Sequence, residues 1–163
     1  MRDVELFQAA LGLGEPWRVV GSSFDADQRR LELRIDFERG ARFACPECDR
    51  VGCEVHDTTE RTWRHLDFFE HQAYFVARVP RVRCPEHGVR QVRVPWARPG
   101  SGFSLLFEAL VMTLVSEMPV AAVGELVGVH DNRIWRVVHH HVDRALAAED
   151  LSPVCRVAVD ETS

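Results

Sequence analysis

The 163-residue chain has no lysine, no internal repeat and no long hydrophobic run. A membrane-spanning helix needs roughly 18 or more consecutive apolar residues, so no membrane partner is predicted. The N-terminus begins MRDVEL, which is acidic rather than basic and is unlike a signal peptide. We therefore expect a cytoplasmic protein, in which reduced cysteines bind metals more often than they form disulfides.

Positive charge is scarce overall but concentrated in one part of the chain. The net charge is -5, and all 20 basic residues are arginine. Residues 29–98 carry an excess of arginine over acids, whereas residues 1–28 and 99–163 are both acidic. Genomic codon bias is the simpler explanation for the arginine-only composition. Arginine nevertheless suits phosphate, because its planar fork binds two oxygens at once.

Hydrophobic periodicity predicts strands in the first hundred residues and helices after them, which makes the chain α+β. A short helix is expected at 2–12, and strands are expected at 17–24, 30–37, 63–66 and 74–82. Helices are expected from Phe103, from Pro119 until Gly128 breaks the pattern, and from a cap at Asp131 to about Ala148.

Composition changes divide the chain into four predicted segments. They are an N-terminal helix and β-hairpin (1–40), a zinc-ribbon-like β module (41–100), an all-α helix-turn-helix module (101–150) and a final segment (151–163). The last segment contains a short apolar strand at 157–159 that is followed by Asp160. Cys155, just before that strand, is interpreted as a small core residue.

Two short motifs of the same form predict a structural zinc site. CPEC at 45–48 and CPEH at 84–87 each present two ligands from a tight turn. Together Cys45, Cys48, Cys84 and His87 give a closed Cys₃His set, which is typical of structural rather than catalytic zinc. Cys53 and His56 lie nearby, and either could replace His87 as the fourth ligand.

Residues 120–139 fit the pattern of a helix-turn-helix. With the turn at Gly128, the apolar positions that pack the two helices together are Val123, Val127, Val129, Ile134 and Val137, and Gly124 falls where the helices cross. The second helix would then be the recognition helix that enters the major groove of DNA. Its candidate DNA-contacting residues are His130, Asn132, Arg133, Trp135, Arg136 and His139. An ordinary helical hairpin is the alternative interpretation.

Phosphate contacts are expected mainly from the central stretch, because the recognition helix is only weakly basic. Arg81 and Arg83, on the strand predicted at 74–82 and just after it, are the candidates. The apolar helix from Phe103 to Val115 is a candidate surface for a homodimer, and packing against the helix-turn-helix is its alternative role.

The motifs occur in an order that resembles a known family. The two cysteine motifs, TWRHLDFF at 62–69, VRCPEHG at 82–88, the stretch MPVAAVGELVGVHDNRIWRVV and the final VAVDETS are similar to the N-terminal part of the ISL-three family of bacterial insertion-sequence transposases. The resemblance covers roughly residues 40–163.

This resemblance implies zinc-binding and helix-turn-helix modules that bind double-stranded DNA at the terminal inverted repeats of a mobile element. It also implies that residues 151–163 are the start of a truncated RNase H-like catalytic domain and contain its first strand. That domain has an Asp-Asp-Glu triad, in which Asp160 matches the first acid and the other two acids would lie beyond Ser163. Magnesium is expected only for that full-length catalytic domain. The chain alone is therefore expected to bind DNA and not to transpose it.

Two other classes of function remain open from the sequence. One is a non-transposing regulator, either a DNA-binding repressor or a protein-binding zinc ribbon, which the overall negative charge favours. The other is a zinc-dependent enzyme, which would need an open position on the metal.

Overall fold

The computed structural model describes residues 3–150, Ser152 and Arg156. The predicted strand at 157–159, Asp160 and Cys155 lie outside these residues. None of the helices in the described part combines the length and apolar character needed to cross a bilayer.

The chain divides into two compact units, Met1–Ala109 and Leu110–Ser163. We call them the β unit and the helical unit. The α+β class is confirmed by the elements that each unit contains. In the β unit, helix α1 (Asp3–Leu11) precedes five strands, which are β1 (Trp17–Asp25), β2 (Arg30–Phe37), β3 (Val55–Arg64), β4 (Gln72–Cys84) and β5 (Gly88–Gln91).

The five strands form one mixed sheet in which β4 has three neighbours. β2 pairs in parallel with the first half of β4, over residues 72–77. β3 pairs antiparallel along the other edge of β4, and β5 forms a short hairpin with its end. The segments predicted separately as 1–40 and 41–100 therefore contribute strands to the same sheet.

The core of the β unit is built by alternation along the strands and by an aromatic cluster. On β2, Leu31, Leu33 and Ile35 are buried, as the strict alternation in the sequence predicts. The buried Trp96 lies between two other tryptophans, with its ring centroid 5.0 Å from that of Trp17 and 5.6 Å from that of Trp63.

A buried arginine at the end of β3 connects the sheet to the segment that follows it. Only 4% of Arg64 is exposed. Its guanidinium donates to the carbonyl oxygens of His65 and Ala73 and pairs with Asp67. Its backbone exchanges hydrogen bonds with Gly102 and Ser104. A buried charge is tolerated only when its donors are satisfied, and here the chain supplies those acceptors.

A second ion pair in the same region has a buried carboxylate. Glu108 is fully buried, and it accepts hydrogen bonds from Arg98 Nε at 2.9 Å and from Ser101 Oγ at 2.5 Å. These contacts fix the loop that leads from the sheet into helix α2 (Leu105–Val115). The division between the two units falls within α2.

The helical unit continues with α3 (Val120–Val127) and α4 (Asp131–Ala148). Pro119 occupies the N-cap of α3, and Gly128 ends it in the left-handed conformation with φ of 65°. The expected cap of α4 at Asp131 is wrong by one residue. His130 is the cap, and its ring accepts a hydrogen bond from the Asn132 amide. Asp131 is the first helical residue, where its charge favours the positive end of the helix dipole.

Candidate metal centre and helix-turn-helix

The ligand atoms of Cys45, Cys48, Cys84 and His87 all lie within 4.8 Å of one another. Cys48 Sγ lies 3.8 Å from Cys84 Sγ, and His87 Nδ1 lies 3.7 Å from Cys84 Sγ and 3.9 Å from Cys45 Sγ. Around a tetrahedral zinc with bonds of about 2.3 Å to sulfur and about 2.0 Å to nitrogen, neighbouring ligand atoms lie about 3.5–3.8 Å apart. The donor set and its spacing therefore fit one zinc ion, with Nδ1 as the nitrogen ligand.

The local structure favours the thiolate form of Cys84 but not that of Cys48. Burial disfavours the Cys84 thiolate, but the backbone amides of His87 and Glu86 donate to its sulfur and lower the pKa of Cys84 to about 6. At Cys48 the Arg50 amide acts in the same direction. Burial and the neighbouring thiols of Cys45 and Cys84 outweigh it and raise the pKa of Cys48 to about 11. The pKa values of Cys48 and Cys84 thus move in opposite directions, as expected of neighbouring thiols that do not ionise together, and a bound dication would remove that conflict.

The alternative ligands named from the sequence lie outside this cluster. Cys53 is buried, pairs with Phe43 through an isolated β-bridge and lies within 3.4 Å of the Arg50 carbonyl oxygen. His56 is an exposed residue of β3, with its Nδ1 3.2 Å from the Arg83 guanidinium. Neither belongs to the group whose ligand atoms converge.

Contacts outside the ligands hold the two motifs together. Arg50, just after the first motif, pairs with Glu86 inside the second at 2.5 Å. Arg93, which follows β5, donates to the carbonyl oxygen of Pro46 between the first two ligands. The metal ligands thus connect the loop at 45–48 to the β4–β5 hairpin.

The helix-turn-helix positions predicted from the sequence are occupied as expected in the helical unit. All five apolar positions that join α3 and α4 are buried, and they are Val123, Val127, Val129, Ile134 and Val137. A Cβ atom added to Gly124 would lie 2.7 Å from the carbonyl oxygen of Val129. Only glycine fits there without a shift of the backbone.

The outer surface of α4 carries the predicted DNA-contacting residues. Asn132, Arg136 and His139 are exposed and lie at i, i+4 and i+7, so they form one stripe. Ile134 and Val137 are buried on the opposite side of the helix. Arg133 and Trp135 are exposed on either side of the stripe, and His130 is exposed at the N-cap of α4. The Trp135 ring stacks on that of His139.

The two arginines predicted for phosphate contact are placed differently. Arg81 forms a bidentate ion pair with Asp57. Its Nε donates to Oδ1 at 2.6 Å, and its Nη2 donates to Oδ2. This pairing holds the pKa of Asp57 below and that of Arg81 above their usual values. Arg81 is therefore already bound to a carboxylate. Arg83 is exposed beside His56.

Two family models match consecutive parts of the chain. The zinc-finger of transposase IS204/IS1001/IS1096/IS1165 matches residues 41–87, and the helix-turn-helix domain of transposase family ISL3 matches residues 92–142. The chain therefore carries the zinc-finger and helix-turn-helix modules of that family, and the resemblance stated from the sequence is confirmed.

Two curated relatives are also transposases. The chain is 30% identical over 175 residues to the transposase for insertion sequence element IS1557 of Mycobacterium tuberculosis, in strain CDC 1551 / Oshkosh and in strain ATCC 25618 / H37Rv. The alignment covers 100% of this chain and 38% of each relative, so the chain spans well under half their length. No solved structure gives a significant match. These matches support the resemblance of the chain to the N-terminal part of ISL3-family transposases.

Proposed function

We propose that the chain binds the terminal inverted repeats of an insertion sequence, as the DNA-recognition part of an Asp-Asp-Glu transposase. The observation that carries the proposal is the exposed stripe of Asn132, Arg136 and His139 on a helix whose opposite side packs against α3. Such a helix fits the major groove, where asparagine pairs with adenine and arginine with guanine through two hydrogen bonds each.

In this proposal Cys45, Cys48, Cys84 and His87 hold one structural zinc ion. Bound zinc would supply cross-linking and no reaction chemistry, because four protein ligands complete its shell. Asp160 is proposed as the first acid of the catalytic triad in the whole transposase, where magnesium would be the cofactor. A cytoplasmic location follows from a bacterial DNA target.

We also propose that two copies of the chain associate on DNA, since an element has two ends. Leu106 and Leu110, on helix α2, are exposed and offer apolar contact area. Sedimentation of the chain with and without duplex DNA tests this part of the proposal. A monomer under both conditions would refute it.

The test of sequence-specific binding uses fluorescence anisotropy with a duplex of one inverted repeat and a shuffled duplex of the same composition. The chain is expected to prefer the repeat. Asn132→Ala and Arg136→Ala should each reduce that preference by about 1–3 kcal/mol, which is roughly 5- to 150-fold. Arg144→Ala removes the same charge from α4 away from the stripe and should leave the preference unchanged. Equal affinity of the unaltered chain for both duplexes would contradict the proposal.

A further inference from the structure

The β unit contains an arginine-lined cleft beside the first cysteine motif. Its volume is about 460 Å³, and its walls include Pro46, Glu47, Arg61, Arg90, Arg93 and Arg98. The arginines come from three places in the chain, namely β3, β5 and the segment after β5. We propose that this cleft is a phosphate-binding site for the DNA backbone, and that it supplies the β unit's main phosphate contacts in place of Arg81. The proposal rests on DNA binding as the function.

Charge in the cleft is only partly compensated, because Arg98 is paired with the buried Glu108 at 2.9 Å whereas no carboxylate of the described residues lies that close to the other three arginines. Arg61 makes no ion pair within the part of the chain that the structure describes, and its guanidinium lies 6.0 Å from the ring centre of Trp63. Arg90 and Arg93 approach Glu47 and Asp49 only to 3.9 Å. Both carboxylates are more than half exposed, so water weakens these contacts and a phosphate can displace them.

A second arginine-containing cleft in the β unit serves as a comparison. It is lined by Arg18, Arg39 and Arg78. Arg18 lies 3.5 Å from Glu38, and Arg78 lies 3.1 Å from Asp36. Two of its three guanidiniums therefore have a carboxylate within 3.5 Å, compared with one of four in the first cleft, where Arg98 pairs with Glu108. Each cleft has one carboxylate in its wall, Asp36 in the second and Glu47 in the first. An incoming phosphate would meet less net positive charge there.

The backbone of the β unit explains why Arg61 faces the cleft. It lies two residues before the buried Trp63 on β3, so it projects from the same side of the strand, opposite the buried Ala77 of β4. At Trp63 this side of β3 is covered by the hydrophobic core. At Arg61 it borders the cleft. Arg61 is consequently half-buried and held in place, which lowers the conformational entropy lost when it binds a phosphate.

The cleft is also connected to the metal site. Pro46 and Glu47 are the two residues between the ligands Cys45 and Cys48, and they form one wall. Arg93 donates to the Pro46 carbonyl oxygen, so this guanidinium is oriented by the ligand loop. Binding of zinc would order the loop at 45–48. That order would in turn fix the position of Arg93 relative to the arginines on the opposite wall.

The test is the salt dependence of binding to an inverted-repeat duplex, measured on the full chain. Arg61→Gln and Arg90→Gln should each weaken binding about tenfold in 0.1 M salt and reduce the slope of log K against log salt by about 0.9. Arg93 is left unaltered because it also supports the ligand loop. Arg29→Gln is the matched control, since Arg29 pairs with Glu70 elsewhere on the β unit, at 2.6 Å. The Arg29→Gln substitution should change neither the affinity for the duplex nor the salt slope.

A second measurement does not depend on the folding of variants. Phenylglyoxal modifies accessible arginines, and mass spectrometry reports each site. Duplex DNA should protect Arg61 and Arg90 and leave Arg29 reactive. If the chain binds DNA normally but Arg61 and Arg90 keep their full reactivity, the cleft is not the phosphate-binding site, and the proposed function is unaffected. Absence of DNA binding by the unaltered chain would overturn both proposals together.

Discussion

At the scale of single residues, the segment TWRHLD shows how one short motif can be structural throughout. Trp63 fills the core, and Arg64 satisfies backbone carbonyls at the end of β3. His65 stacks on Phe75, and its Nδ1 lies 2.8 Å from Ser104 Oγ. The sequence identified this motif only through its family resemblance, because nothing local to it reveals which carbonyls Arg64 would meet.

His65 predicts a pH dependence of stability in the β unit. Burial, and secondarily the charge of Arg64, lower the pKa of His65 to about 4, compared with 6.5 for an ordinary histidine. Between these values the unfolded chain binds a proton that the folded chain does not, so stability decreases as the pH falls from about 6.5 towards 4. The ring is partly exposed, and we expect a loss of about 1–2 kcal/mol.

This prediction is checked by urea unfolding of the unaltered chain and of His65→Gln between pH 7.5 and pH 4.5. The variant should be less stable at pH 7.5 but should lose less stability on acidification. His56→Gln, at an exposed histidine of the same unit, should follow the unaltered chain. Acid release of metal affects all three proteins alike and cancels in the comparison. Parallel pH profiles for His65→Gln and the unaltered chain would contradict the assignment.

At the scale of elements, local patterns were predictable and distant pairings were not. The turn at Gly128, the crossing at Gly124 and the alternation of β2 depend on residues close in sequence, and each has the expected placement. The parallel pairing of β2 with β4 joins residues about forty positions apart, and no local signal encodes it. The pairing of Arg81 with Asp57 depends on the β3–β4 register in the same way.

The crossing of α3 and α4 gives a prediction that opposes simple helix propensity. Alanine is favoured over glycine in a helix interior by up to about 1 kcal/mol. At Gly124, however, a Cβ atom would lie 2.7 Å from the carbonyl oxygen of Val129, so Gly124→Ala must shift the backbone of the turn that joins α3 to α4. We expect the substitution to destabilise the helical unit by about 1–3 kcal/mol and to weaken DNA binding.

Thermal unfolding followed by circular dichroism, together with anisotropy, measures both effects. Gly14→Ala is a suitable control, because a Cβ atom there has no neighbour within 4 Å. A Gly124→Ala protein that is as stable as the unaltered chain would show that the crossing tolerates a methyl group.

At the scale of the whole molecule, the two units draw on different sources of stability. The β unit combines its aromatic core with a metal site that links Cys45 and Cys48 to Cys84 and His87, across a long stretch of chain. The helical unit has its own buried contacts between α3 and α4 and contains none of these ligands. Loss of the metal should therefore affect one unit far more than the other.

Metal removal tests this division. A strong chelator should release one zinc per chain and abolish the near-ultraviolet signal of the tryptophans of the β unit, while the helical signal at 222 nm largely persists. Cys84→Ser should reproduce this result without chelator. Cys53→Ser, at a buried cysteine outside the cluster, should retain zinc. Loss of zinc from Cys53→Ser, or full retention by Cys84→Ser, would refute the assigned ligands.

The parallel pairing of β2 also has a consequence for biosynthesis. The β1–β2 hairpin is complete once Phe37 has left the ribosome. The other edge of β2, however, has no pairing partner until residues 72–77 have been synthesised. During that interval an apolar strand carrying Leu31, Leu33 and Ile35 has free amides and carbonyls along one side. Nascent chains that stall in this window would be prone to join one another edge to edge, and slow codons between residues 38 and 77 would lengthen the exposure.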